Sequence, residues 1–318
     1  MSFPAPTASS RLPYGCLPER IRSWVDESLG SPVTSTEEQV GGMSPGPATR
    51  LRSADGTRAF LKAVGPELNP DTPTLFRREI AVLGLIGASP LWARLVDAYD
   101  EPGGWVALLI EDIDGEHPDL RDDATMALVL AATDALAMAL NPALLRLGAG
   151  ALLEPLSSRF NAWADAFDHL GDIPPAVIPA WVRARAPGLR EQVRSLADQP
   201  MDTLVHWDIR DDNLLQRPDG SIVFVDWGQA SIGPAWADPL LARLARVESA
   251  WFDDAVRRSS VLSSAGDDVI TAWLCGFAVF LAHRMQTAAD VNLPGLQAFR
   301  QRESARVLAG AARRLGEA

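Results

Sequence analysis

The chain has 318 residues, room for about two domains of roughly 150 residues each, and its 22% charged and 47% hydrophobic residues mark a globular composition, not a disordered one. With 29 basic and 41 acidic side chains the net charge is −12, the wrong sign for a nucleic-acid binder, which needs a basic face for phosphates. Two distant cysteines (Cys16, Cys275) and four histidines (His117, His169, His206, His283) without ligand spacing argue against a disulfide framework and a zinc site, and a reducing cytoplasm is the expected compartment.

Residues 1–18 are rich in Pro and Ser and lack a basic stretch followed by an apolar one, so they read as a loose or packed arm and not a signal peptide. Residues 20–29 predict a short helix with Ile21, Trp24, Val25 and Leu29 on one side. Residues 33–64 have strand texture, with a hairpin turn at Ala54-Asp55-Gly56. A helix is predicted over 73–86, with Leu75, Phe76, Ile80, Leu83 and Ile86 near helical spacing, and strands over 91–99 and 105–110. Past residues 111–115 the periodicity turns helical, over 124–147, 157–170, 178–196, 240–256, 267–285 and 296–315. The most membrane-like stretch, 124–140, is interrupted by Asp134 and short for a span, so it reads as a core helix. One strand-rich island, 203–227, interrupts this helical half. The expected fold is α+β, with residues 1–111 as a β-rich lobe and 112–318 as a mainly helical lobe.

Lys62 is the sole lysine; every other basic side chain is arginine. Codon bias in a GC-rich genome accounts for most of that, but it makes the surviving lysine worth examining, because ammonium and guanidinium are not interchangeable at a tight site. Glu79 shares the apolar helix face of Leu75, Phe76 and Leu83, where a carboxylate wants a cationic partner. In the island, the apolar run 222–225 closes on Asp226, and a carboxylate at the end of a buried strand is costly unless something charged meets it. Asp208, Asn213 and Asp226 supply hard oxygen ligands and a carboxylate base, a set suited to magnesium and a phosphoryl donor.

The pattern His206-x-Asp208-x-x-x-x-Asn213 followed by Asp226-Trp227-Gly228 resembles the catalytic loop and metal-binding aspartate of the protein-kinase-like fold. Tryptophan after that aspartate, then Gly233-Pro234 and Asp238, resembles the aminoglycoside phosphotransferases and related small-molecule kinases, over about residues 35–315. The resemblance implies a two-lobe fold using ATP or GTP with Mg2+. Asp208 is then the catalytic base, Asn213 and Asp226 hold the metal, and Lys62 paired with Glu79 grips the inner phosphates. The segment 110–113 is the hinge meeting the base, at Glu111 and Ile113, while His206 and Asp238 brace the loop. Gly41-Gly42-Met43-Ser44-Pro45-Gly46 is the phosphate-covering loop, with Ser44 as its contact, although it departs from G-x-G-x-x-G and Pro45 removes an amide donor.

Other readings stay open. Arg210 either contacts phosphate or braces its loop. Asp211 and Asp212 are solvated or face the acceptor. Glu248, Asp253 and Asp254 bind an amino sugar or cover a soluble surface, and Trp236 and Trp251 stack on a sugar or pack in the core. The short interval from Asp226 to Asp238, without Ala-Pro-Glu, disfavours a protein kinase. The expected activity is phosphoryl transfer from ATP to a hydroxyl of a small molecule, an aminoglycoside or similar amino sugar. The alternatives are a kinase of homoserine, choline, a sugar or a macrolide, and a nucleotide-binding pseudokinase scaffold. A resistance role and a metabolic one are equally compatible, as are monomer and homodimer; no nucleic-acid or membrane partner is expected.

Overall fold

Gly56, in the left-handed region at φ 91°, closes the hairpin between strands β2 (Ala48–Ser53) and β3 (Arg58–Val64). In this computed structural model, which describes residues 11–40, 44–140, 153–288 and 295–317, that hairpin is the middle of a five-stranded antiparallel sheet. With β1 (Val33–Glu38), β4 (Leu95–Asp100) and β5 (Val106–Ile110), the order is β1-β2-β3-β5-β4. Strand parity sorts the side chains. Ala59, Leu61 and Ala63 of β3 join Leu51, Ala107 and Leu109 in a core with Ile21, Val25 and Leu29 of helix α1 (Glu19–Leu29). Lys62, one residue out of phase with them, points to the other face, where helix α2 (Thr72–Ile86) buries Phe76, Glu79, Val82 and Leu83.

The arm is packed where it is described: Leu12 N–H donates to the Pro45 carbonyl at 3.0 Å, Tyr14 N–H to Glu38 Oε1 at 2.8 Å, and Leu17 is buried in the α1 core. Residues 91–94 are not the start of β4. They turn to the island instead, where the Leu91 carbonyl accepts from Phe224 N–H at 2.8 Å and the Trp92 ring packs edge-on against Trp227 at 5.9 Å. Glu116 and Gln216 likewise exchange backbone bonds. Packing therefore returns Asp208–Ala230 to the first of two compact units, Met1–Ala132 with Asp208–Ala230, where sequence texture placed a single break at residue 111.

The second unit, Thr133–Trp207 with Ser231–Ala318, is mainly helical. Helix α3 (Asp123–Ala139) leads into it, and the rest of the helix predicted to residue 147 lies outside the described residues. Next come α4 (Leu156–Asp165), α5 (Ala180–Ala184) and α6 (Ala186–Ser195); the expected single helix over 178–196 breaks at Arg185 because Pro187 opens α6. The strand β6 (Thr203–Val205) belongs to this unit, as does its partner β9 (Ser231–Gly233), while β7 (Leu214–Gln216) and β8 (Ile222–Phe224) pair in the first. The predicted helix over 240–256 is two, α7 (Ala237–Arg243) and α8 (Ala250–Arg258), joined by a tight turn over Leu244–Arg246. Then follow α9 (Ser260–Ala265), α10 (Asp267–Thr287) and α11 (Leu296–Leu315). Among the described residues, α10 alone is long and apolar enough to cross a membrane, but Trp273, Cys275, Val279 and Ala282 bury it against α4, α6 and α11, as a core helix.

Candidate active site

In the first unit, Glu79 and Asp226 meet at the Lys62 ammonium. It lies 2.5 Å from Glu79 Oε2, 3.1 Å from Asp226 Oδ1 and 5.1 Å from the centre of the Phe76 ring. Glu79 is fully buried and Lys62 nearly so. Burial works against the Lys62 charge, and Asp226 and Glu79 more than offset it, keeping the ammonium protonated above its ordinary range. Burial pushes the Glu79 carboxyl up, with Lys62 pulling the other way. The expected Lys62–Glu79 pair is therefore present. Its contact with Asp226 is a further one, which nothing in the spacing of these residues announces.

Asp226 follows β8 after Val225. Its backbone is left-handed, φ 67°, and a tight turn over Trp227–Gln229 follows. Trp227 is buried against Trp92, and Gly228 lets α2 approach: a Cβ there would stand 3.3 Å from that of Leu75. Among the described residues Asp226 and Trp207 are the non-glycine residues with positive φ, and both flank this loop, where such strain of about 1–3 kcal/mol each persists only if the surroundings enforce it.

The loop itself is held by side chains. Asn213 Nδ2 donates to both the Asp208 carbonyl at 2.9 Å and Asp208 Oδ2 at 2.8 Å, leaving Asn213 Oδ1 as the amide's acceptor atom. Arg210 forks onto Asp212 at 2.9 and 2.7 Å and reaches Asp208 at 3.7 Å, so the structure favours loop bracing over phosphate contact for this arginine. Burial raises the Asp208 carboxyl above the ordinary carboxylate range; Arg210 opposes this, and Asp226 and Asp212 add to it. Asp211 is half-buried and its carboxyl is raised by burial and by Asp212.

In the second unit, buried Asp238 accepts from His206 N–H at 2.7 Å and Trp207 N–H at 2.9 Å, which is how it braces the two residues preceding Asp208. Asp238→Ala strips both amides of their acceptor and is expected to destabilise the protein by about 2–4 kcal/mol, with Asp238→Asn losing less. Urea unfolding of the variants checks this, and a loss under 1 kcal/mol for alanine (~ the scale of one ordinary hydrogen bond) would contradict it.

Around the hinge, Asp112 is nearly buried between Arg58 at 2.6 Å and Arg50 at 3.4 Å. The Glu111 side chain reaches Arg217 at 3.3 Å, while the Ile113 carbonyl accepts from Arg50 at 3.2 Å. The Glu111 N–H donates to the Arg94 carbonyl at 2.8 Å. Ser44 Oγ accepts from Gly46 N–H at 3.4 Å; residues 41–43 of the same loop lie outside the described residues. Gly46 lies directly on β3, since a Cβ there would be 1.8 Å from the Ala63 carbonyl oxygen.

Two acceptor-side candidates carry ion pairs. Asp253 is bound by Arg313 and Arg314, both at 2.8 Å, and Glu248 by Arg306 at 3.1 Å. These pairs join α11 to residues 248–253, and Asp254 pairs with Arg257 on its own helix. Trp236 is core, stacked at 6.4 Å on Phe160, and Trp251 carries Arg246 at 4.8 Å from its ring. Among the described residues no group of three His, Cys, Asp or Glu forms a self-contained metal cluster.

A family model described as the phosphotransferase enzyme family matches residues 47–267, more than half of the chain. No curated protein matches the sequence. Among solved structures, the chain is similar to an aminoglycoside phosphotransferase from Alicyclobacillus acidocaldarius, at 13% identity and TM-score 0.54, covering 90% of this chain and 93% of that one. A choline kinase from Streptococcus pneumoniae is similar at 14% identity and TM-score 0.58, covering 92% and 98%. A thermostable mutant of an aminoglycoside phosphotransferase, in ternary complex with ADP and hygromycin B, is similar at 14% identity and TM-score 0.59, covering 91% and 98%. At these identities the likeness is one of fold: a β-rich lobe followed by a mainly helical one.

Proposed function

The chain belongs to the phosphotransferase enzyme family, and from that premise we propose that it is a small-molecule kinase moving the γ-phosphoryl group of ATP to a hydroxyl. The observation that carries this reading is the Lys62–Glu79–Asp226 contact line in the same unit as the Asp208–Asn213 pair. A scaffold that only bound nucleotide would have no need to keep all five groups.

The donor set suits a divalent cation such as magnesium. Asn213 spends its N–H donors on Asp208 and so offers Oδ1, and half-exposed Asp226 offers carboxylate oxygens. Magnesium takes one or two such protein oxygens and completes its shell with phosphates and water. When bound, metal and nucleotide supply the phosphoryl group and neutralise its charge. Lys62, oriented by Glu79, grips the inner phosphates, with Ser44 beside the outer ones. The main chain at Glu111 and Ile113 receives the purine. Asp208 orients the acceptor hydroxyl and takes its proton as the new O–P bond forms and the bond to the leaving ADP oxygen breaks. Its raised affinity for a proton suits a base, and Asn213 and Arg210 keep it aimed. His206 and Asp238 hold the loop.

For the acceptor, an amino sugar remains compatible, with Asp211 the carboxylate left near the loop. The arginine partners of Glu248 and Asp253 favour a second reading, an acceptor less cationic than an aminoglycoside, such as a neutral sugar or macrolide. A coupled ADP-release assay with Mg·ATP across aminoglycosides, macrolides, amino sugars, choline and homoserine tests the reading. Turnover with one acceptor, abolished by Asp208→Asn, supports it; absence of both turnover and magnesium-dependent nucleotide binding refutes it.

A further inference from the structure

In the described part of the loop between β1 and β2, Pro45 and Pro47 have no N–H to offer a phosphate. A cation stands there instead. Arg11, from the arm preceding α1, donates from Nη1 to the Gly46 carbonyl at 3.0 Å. Gly46 in turn lies against Ala63, next in sequence to Lys62. Burial lowers the Arg11 guanidinium below its ordinary range, and the Asp226 and Glu38 carboxylates act against that. Glu38 is itself occupied, accepting from Tyr14 N–H at 2.8 Å and Thr49 Oγ1 at 2.6 Å, so it helps to place the arm and not only to neutralise it.

A guanidinium bonded to the Gly46 carbonyl of this loop has a specific chemistry. Its planar fork of N–H donors matches the oxygens of a phosphate, and it stays ionised at any working pH. The backbone bonds of Leu12 and Tyr14 and the burial of Leu17 fix the arm without help from the Arg11 side chain.

We propose that Arg11 is a phosphate-binding residue of this enzyme, delivered by the N-terminal arm to the outer phosphates of the nucleoside triphosphate, where its guanidinium adds a charged donor beside Pro45 and Pro47. The proposal rests on the kinase reading above. It assigns residues 11–17 a part in nucleotide recognition that neither the family match, which begins at residue 47, nor the loop motif includes.

The test is calorimetric titration of the full chain and its Arg11→Ala and Arg11→Lys variants with Mg·AMP-PNP, Mg·ADP and adenosine. Arg11→Ala is expected to weaken Mg·AMP-PNP by about ten- to a hundredfold, the worth of a charge-assisted contact. Adenosine affinity should stay within about twofold, a difference too small to represent a lost contact, and Arg11→Lys should recover part of the loss. Unchanged or tighter Mg·AMP-PNP binding by Arg11→Ala overturns the proposal, the tighter result showing an arm that blocks the site. Equal weakening of adenosine and triphosphate also overturns it, since it marks a structural role. If the unaltered chain binds none of the three, the kinase reading falls and this proposal with it, and the wild-type titration alone identifies that case.

Discussion

Asp208→Asn is expected to lower kcat by about 10²- to 10⁴-fold, the usual worth of a positioned general base, with the affinity for Mg·ATP changed little. Two facts set this split between rate and binding. Asp208 touches Asn213 and Arg210 and is not in the Lys62 contact line, so the phosphate grip survives its loss. Asparagine keeps an oxygen for the Asn213 amide, so the loop keeps its shape while losing the group that takes the proton. Single-turnover rates beside nucleotide titrations separate the effects; an unimpaired rate would remove Asp208 from the chemistry, and an equal loss of nucleotide affinity would make it a binding residue.

Lys62→Met should be the most destabilising change at the site. It leaves Glu79 fully buried without its cation and Asp226 without the ammonium at 3.1 Å, and breaking a buried pair from one side costs about 3–5 kcal/mol. Adding Glu79→Leu should restore much of that stability, because apolar side chains of similar size replace a buried pair well, while turnover stays lost in both variants. The deficit of the single variant should also depend on pH. Without Lys62, burial raises the Glu79 carboxyl still further above its unfolded value. The folded state then binds the extra proton, so stability is retained below the ordinary glutamate pKa of about 4.3 and lost as pH rises. Urea unfolding from pH 4 to 8 (~ the range spanning that titration) reads this directly, and a pH-independent deficit would show that Glu79 does not titrate in response.

Much of the site was readable from local pattern. The apolar face of α2 marked Glu79 as needing a cation, because helix periodicity acts within a few residues, and the family resemblance supplied Lys62 as its partner. The spacing of Asp208 and Asn213 within one short loop was equally local, and so was the turn at Gly56. Helix ends were less legible: Pro187 splits one expected helix, and the interval around Leu244–Arg246 splits another, where apolar periodicity continues across both breaks.

Contacts between distant parts of the chain were not readable in this way. Residues 91–94 have the composition of a strand, yet they serve the island because Trp92 finds Trp227 and Leu91 finds Phe224. Asp253 and Glu248 look like free acceptor carboxylates in sequence, and only the return of α11 supplies the arginines that neutralise them. Arg11 is one basic residue in a Pro- and Ser-rich arm until folding lays it on Gly46. The left-handed backbone of Trp207 has no signature in residue type, while Asp226 belongs to a type that visits that region more often than most but seldom enough that sequence does not mark it. Composition, periodicity and motif spacing thus identify the lobes and the chemical groups. Which charges remain available to a ligand depends on their partners, and those partners come from segments that only the folded chain brings together.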